Sequence, residues 1–413
     1  MRWGQVVLDV APLRASPAFR LIVAAQAISM IGTHLTIVAV NLQVFLLTGS
    51  SLQVGLVGFV FGMSLLAGLL TGGVLADRVD RRTIVLSTRA VVVAVFAGLA
   101  VNAALPQPSL WFVYVAAVLA GSINGLGNPA LLAVTPTLVA GEHLPAAGAL
   151  TALTTQVGAI GGPALAGVLA AGPGLAVCFA LDALSFVISV VLLAFLPSLP
   201  PPETGQNRHP VRSVVEGLQF VRHNHVIAGL LLIDVLAMVF AMPYALFPEL
   251  GTVHFGGDAT TVGLLYSAPA VGAFVAALLS GWAGRVPRTG ALLIGSVVLW
   301  GLSIAFLGLT ASLWVALGVL VVAGLADTTS EILRRALLHH YTPEGLQGRV
   351  GSLWLAQSTV SPGLGNMTAG LLARLTSAPL MPLVGGVICV VGAVSMAVAM
   401  PRFRTVSLHD RST

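Results

Sequence analysis

Apolar residues run along this chain in long blocks separated by short polar interruptions, and a block of about 20 such residues is what a helix needs to cross a bilayer. Twelve blocks of this kind are read, over 19–47, 52–76, 83–105, 109–133, 148–171, 174–196, 226–249, 260–284, 289–309, 312–336, 350–374 and 379–400. The pattern predicts an all-α integral membrane protein with twelve transmembrane helices. The first block is long, carries Gln26, His34, Asn41 and Gln43, and has no small-residue cleavage site after a short apolar core. It is therefore expected to be a retained span and not a signal peptide.

Composition agrees: 57% of the 413 residues are hydrophobic and 8% are charged, more apolar surface than a soluble core uses. The 19 basic residues are all arginine. Arg2, Arg14 and Arg20 lie before or at the start of span one, Arg78, Arg81 and Arg82 join spans two and three, and Arg208, Arg212 and Arg222 lie between spans six and seven. Arg285 and Arg288 join spans eight and nine, Arg349 precedes span eleven, and Arg402, Arg404 and Arg411 follow span twelve; of the arginines at span ends and in loops only Arg374 falls on the other side. Positive charge gathers on cytoplasmic loops, so the chain is expected in the cytoplasmic (inner) membrane with both termini in the cytoplasm. The net charge of +5 then reports orientation and not a nucleic-acid partner. The absence of lysine removes the phosphate-binding G-x-x-x-x-G-K-[ST] loop, so no nucleotide drives the protein. Cys178 and Cys389 lie in apolar spans without ligand-spaced His or carboxylates, so neither a disulfide nor a metal is implied, and no cofactor is expected. No Ser/His/Asp or paired-carboxylate constellation supports an enzyme.

One charged stretch interrupts the apolar pattern sharply: Gly73 stands four residues before Asp77, with Arg78, Arg81 and Arg82 following, between spans two and three. This G-x-x-x-D-R-x-x-R-R loop resembles the signature loop of the major facilitator superfamily of secondary transporters. Asp80, where many members have Gly, gives the Asp-Arg-x-Asp-Arg-Arg form that resembles its multidrug and siderophore exporters. The resemblance implies twelve helices in two pseudo-symmetric six-helix bundles. It also makes Gly73, Asp77, Arg78, Arg81 and Arg82 a conformational gate that shuts the cytoplasmic side.

Internal repetition fits that architecture. Val54-Gly55-Leu56 recurs as Val262-Gly263-Leu264, and Gly73 recurs as Gly281, both at an offset of 208. The expected division is an N-terminal bundle over 1–196, a cytoplasmic linker over 197–225, and a C-terminal bundle with a short tail over 226–413. Within the linker Val211, Val214, Val215, Leu218 and Val221 recur at helical spacing, which predicts an amphipathic helix on the membrane surface.

Span five holds Gly158, Gly162, Pro163 and Gly167, a run that resembles the motif marking antiporters within the superfamily; glycine-rich helix packing is the plainer alternative. In span four Asn128-Pro129-Ala130 is followed by Leu131, where the exporter branch carries Arg, while Arg334 keeps the corresponding place in the second half.

Ionisable residues inside spans are costly and mark function by default. Asp234, which has no opposite charge at i±3 or i±4, is the preferred proton-coupling candidate, with Asp182 and Asp327 behind it. Glu331, Arg334 and Arg335 follow Asp327, and Glu331 to Arg335 is an i,i+4 spacing that reads first as an ion-pair network. Spans one, four, seven and ten line the central cavity in the superfamily, which makes His34, Asn41, Asn124 and Glu331 cavity candidates.

The function expected from these readings is secondary active export of a small amphipathic molecule (a drug, siderophore or secondary metabolite) by proton antiport with alternating access. The partners are that molecule, protons and the lipid bilayer, and the working unit is a monomer. Two alternatives stand beside it: an importer or uniporter of the same fold, and a transport-inactive membrane sensor or scaffold.

Overall fold

The computed structural model describes residues 10–198 and 210–408. The two chain ends and the proline-rich part of the linker, 199–209, lie outside the described residues, as do the side chains of 135, 210–214 and 283–285.

Twelve long helices run through the described residues: α1 (Pro17–Thr48), α2 (Ser51–Ala76), α3 (Arg81–Ala104), α4 (Leu110–Leu138), α5 (Leu144–Ala171), α6 (Leu175–Ala194), α7 (His225–Phe240), α8 (Ala259–Leu278), α9 (Thr289–Leu307), α10 (Leu313–Tyr341), α11 (Gln347–Leu375) and α12 (Leu380–Ala399). Eleven of them are long and apolar enough to cross a membrane, the seventh only when it is taken through its break to His254. The remaining one, α11, has 29 residues and a more polar sequence, and two of its polar side chains, Gln357 and Asn366, are spent on the backbone of the α7 segment. The twelve-helix expectation holds.

Polar starts fix several helix ends. A side chain at the N-cap satisfies amides left over in the first turn. Asp80 does so for α3, Asn224 for α7 and Asp258 for α8. The helices carry apolar residues all round, as lipid-surrounded helices do. Trp111 and Trp314, at the starts of α4 and α10, are 80% and 77% exposed, the amphipathic rings expected at a membrane interface.

The seventh span departs from its predicted form. A continuous helix over 226–249 is expected, but α7 stops at Phe240. It resumes as a single 3₁₀ turn at Tyr244–Leu246, an α turn at Phe247–Glu249 and a π turn at Leu250–His254. Pro243 causes the break, since it lacks an N–H and its ring collides with the preceding turn.

By contact the chain forms two compact units, Met1–Val40 with Ser64–Asn207, and Asn41–Met63 with Arg208–Thr413. The first hairpin, from Asn41 in α1 to Met63 in α2, thus belongs with the C-terminal helices. In the first unit α3 packs on α4 and α6, and in the second α9 packs on α10 and α12. The α2–α4 seam closes on Gly68 and Gly125, where an added Cβ would fall 2.2 Å from Ser122 O and 2.3 Å from Leu65 O. The α8–α10 seam repeats this at Gly272 and Gly324, each with 1.8 Å to a facing carbonyl. Small residues let membrane helices approach this closely, and the repetition gives the two units the same internal plan.

The linker helix, Pro210–His223, lies in the second unit and packs on α11. Glu216 pairs with Arg349 at 2.9 Å. Val215 and Leu218 stay about half exposed, at 49% and 50%, an apolar side suited to a membrane surface.

Candidate functional site

The charged loop between α2 and α3 is built from its own helix ends. Asp80 accepts hydrogen bonds from the Arg82 and Thr83 amides at 2.7 and 3.4 Å and from the Ser198 hydroxyl. Arg82 donates to the carbonyl of Ala194, the last residue of α6, at 2.6 Å, and Arg81 to Ala133 O at 3.5 Å. At the end of α6, Arg82 meets the partial negative charge and an unused carbonyl of a helix C-terminus. Arg81 and Arg82 therefore fasten α3, α4 and α6 together within the first unit. Asp77 and Arg78 are exposed and their side chains make no hydrogen bond or ion pair among the described residues, and a Cβ at Gly73 meets nothing within 4 Å.

The glycine run of α5 forms a close seam with α1. A Cβ at Gly158 would lie 2.8 Å from Met30 Cβ, and one at Gly162 would lie 2.7 Å from both His34 Cβ and Ile31 O. Pro163 and Gly167 are buried on the same helix. His34 thus sits on this seam, partly buried and without a hydrogen bond among the described residues.

Asp182 is fully buried in α6. It accepts from Ser185 Oγ at 3.0 Å, and its Oδ1 would lie 2.2 Å from a Cβ at Gly32, so the glycine in α1 makes room for it. One group escaped the sequence reading altogether: Arg89, a lone cation in the apolar run of α3, which is only 8% exposed. The charge itself was the signal, because a cation inside a span is costly. Asn124 donates to Ala120 O at 2.8 Å, so the amide that lines the space beside Arg89 is tied to its own helix.

In the second unit the break in α7 is held by side chains from three helices. Tyr266 of α8 donates to Tyr244 O at 2.6 Å and accepts from Asn41 Nδ2 at 2.7 Å. Asn366 of α11 accepts from the Ala245 amide at 3.1 Å. Tyr244, Phe247 and Tyr266 stack around these bonds with ring centroids 5.0–5.8 Å apart. Backbone groups freed inside a membrane must be satisfied by protein, and such broken helices lie at the binding sites of secondary transporters. Asn41 was legible from sequence as a polar residue in a span; Tyr266 and Asn366 were not, because their role follows from a break that only Pro243 announces.

The same unit gathers the carboxylates of α7 and α10. Asp234 Oδ1 meets Arg334 Nη1 at 2.9 Å, and both groups are buried. Gln357 of α11 donates to Asp234 Oδ2 at 2.8 Å and to Leu231 O at 3.0 Å. The partner that Asp234 lacks on its own helix thus comes from α10. Glu331 and Arg335 form the i,i+4 pair at 2.5 Å, and the Arg335 guanidinium lies 4.6 Å from the Trp354 ring centroid. Asp327 is partly buried, feels the charges of Arg334, Glu331 and Asp234, and has no hydrogen bond or ion pair among the described residues. Three carboxylates therefore face two guanidiniums.

The family model described as "Transmembrane secretion effector" matches residues 8–412. The chain is 36% identical over 403 residues to "Enterobactin exporter EntS" of Citrobacter koseri, covering 96% of each chain. It is 36% identical over 373 residues to the protein of the same name from Shigella boydii, covering 90% of this chain and 89% of that one. Among solved structures, the nucleoside transporter NupG (D323A mutant) superposes with a TM-score of 0.78 at 12% identity, over 92% of this chain and 99% of that one. A bacterial homologue of the human lysosomal transporter Spinster gives 0.68 at 15% identity, over 94% and 95%. These structures share the fold.

Proposed function

The chain belongs to the major facilitator superfamily, in its family of transmembrane secretion effectors, and from that premise we propose that it exports a small amphipathic molecule across the cytoplasmic membrane in exchange for a proton. Export and a siderophore-like cargo are supported by the full-length similarity to proteins named enterobactin exporters. A fluorescence or mass-spectrometric accumulation screen in an efflux-deficient host, with enterobactin, simple catechols and amphipathic dyes as probes, tests the cargo. Reduced accumulation of at least one class is expected on expression, and equal accumulation of all of them would contradict export.

The observation that carries the coupling is the charge count in the cluster of α7 and α10. Glu331 is matched by Arg335, and Asp234 by Arg334, which leaves Asp327 as the carboxylate without a cation of its own. Buried ions must be paired or neutralised, so a proton on Asp327 balances the cluster. When that proton leaves, ionised Asp327 competes with Asp234 for Arg334, two helical turns along α10. The competition loosens the tie between α10 and α7 next to the broken segment. Asp327 is then the proton carrier, Asp234 and Arg334 form the latch, and Gln357 holds Asp234 in place for its return.

Alternating access about the two halves completes the cycle, with Gly73 and Asp77 as the conformational gate. Asp77→Asn is expected to keep substrate binding and lose transport. Orientation follows the arginines, with both termini cytoplasmic. Cys178 and Cys389 are fully buried, so cysteines introduced at Arg81, Gln107 and Ser377 are readable against a silent background. Labelling at 81 from the cytoplasm, and at 107 and 377 from outside, is the expected outcome.

A further inference from the structure

Arg89 sits eight residues into α3, about 12 Å along the axis at 1.5 Å per residue, within the apolar run of that span and buried there. Its Nη1 donates to Ser29 Oγ of α1 at 3.2 Å and to Ser189 Oγ of α6, and its guanidinium carbon lies 5.6 Å from the Phe186 ring centroid. These partners are neutral. No carboxylate lies within ion-pair distance of Arg89 among the described residues. The buried carboxylate of the first unit, Asp182, stands seven residues before Ser189 on α6 and is committed to Ser185. Nε and Nη2 of Arg89 make no hydrogen bond among the described residues. One full edge of the guanidinium, with its parallel N–H donors, is therefore unused.

Arg89 lines a cavity of about 170 Å³ within the first unit, whose polar wall includes Thr33, Asn124 and Asn128 and whose apolar wall includes Leu65, Val92 and Phe186. A water molecule occupies roughly 30 Å³ in the liquid, so the space holds more than a halide or a single water. A planar guanidinium edge matches a carboxylate by two parallel hydrogen bonds, and the apolar wall suits a short aromatic or aliphatic body. We propose that this cavity is a binding site for a small organic monocarboxylate, with Arg89 as the group that takes the carboxylate. The anion supplies the counter-charge that the protein itself withholds from Arg89. Asn124 belongs to the polar wall of the same cavity, and Phe186 lies under the guanidinium. The proposal concerns binding and stands whether or not the chain exports the molecule bound.

The test uses full-length protein in detergent, with sodium benzoate as probe, benzamide as its neutral isostere and sodium chloride to match ionic strength. Saturable benzoate binding, read by thermal stabilisation and by intrinsic fluorescence, is expected, with no such response to benzamide. Arg89→Gln should weaken it roughly ten- to a hundredfold, the worth of hydrogen bonds to a charged group. Asn124→Leu, which keeps Arg89 and removes an amide bonded only to its own helix, should weaken benzoate binding without loss of folding, and it carries the test if the Arg89 variant is unstable. Equal responses to benzoate and benzamide, or benzoate binding unchanged in the Asn124 variant and in a folded Arg89 variant, would overturn the site.

Discussion

Arg334 Nη1 lies 2.9 Å from Asp234 Oδ1, joining α10 to α7 by an ion pair whose members are only 5% and 3% exposed. Removing one partner of such a pair strands a buried charge and costs about 3–5 kcal/mol, whereas replacing both by apolar residues of similar volume is far milder. Arg334→Met alone is therefore expected to lower thermal stability strongly, and Asp234→Leu with Arg334→Met to restore most of it. A double-mutant cycle on thermal unfolding of the purified protein reads this directly; additive losses would contradict a direct pair.

Asp80 gives a second, smaller expectation. Its carboxylate caps α3 through the Arg82 and Thr83 amides. Loss of a cap costs about 0.5–2 kcal/mol, while Asn caps as well as Asp. Asp80→Ala should lower the melting temperature and Asp80→Asn should barely change it.

The α1–α5 seam makes the third. A Cβ at Gly162 would come within 2.7 Å of Ile31 O, closer than backbone can give without a helix shift. Gly162→Val is expected to lower both stability and transport, while Gly161→Val, whose Cβ would meet nothing within 4 Å, is expected to be tolerated. Equal effects at the two positions, measured by thermal unfolding, would remove the seam as the reason for the motif.

Much of this was legible in the sequence because membrane physics writes in long strokes. Twenty-residue apolar blocks fix the helices, as 83–105 fixed α3 (Arg81–Ala104) to within two residues. The i,i+4 spacing foretold the Glu331–Arg335 pair, since one helix suffices to bring the two together. Contacts between helices were not legible in this way. The Arg334 partner of Asp234 lies 100 residues away, and the Gln357 and Asn366 bonds to the α7 segment depend on how α11 is turned. Arg89 was visible as a charge in an apolar run, but its serine partners on α1 and α6 lie 60 and 100 residues distant.

The coupling account is tested most directly by substrate accumulation in everted membrane vesicles, using a compound identified by the export screen, with and without an imposed gradient acid inside. Wild-type protein is expected to accumulate the compound under the gradient and to lose that accumulation when nigericin collapses it. Asp327→Asn, in which the carboxylate can no longer exchange a proton, is expected to equilibrate the compound without accumulating it. Gradient-driven accumulation that persists in Asp327→Asn, or wild-type accumulation indifferent to nigericin, would contradict the account.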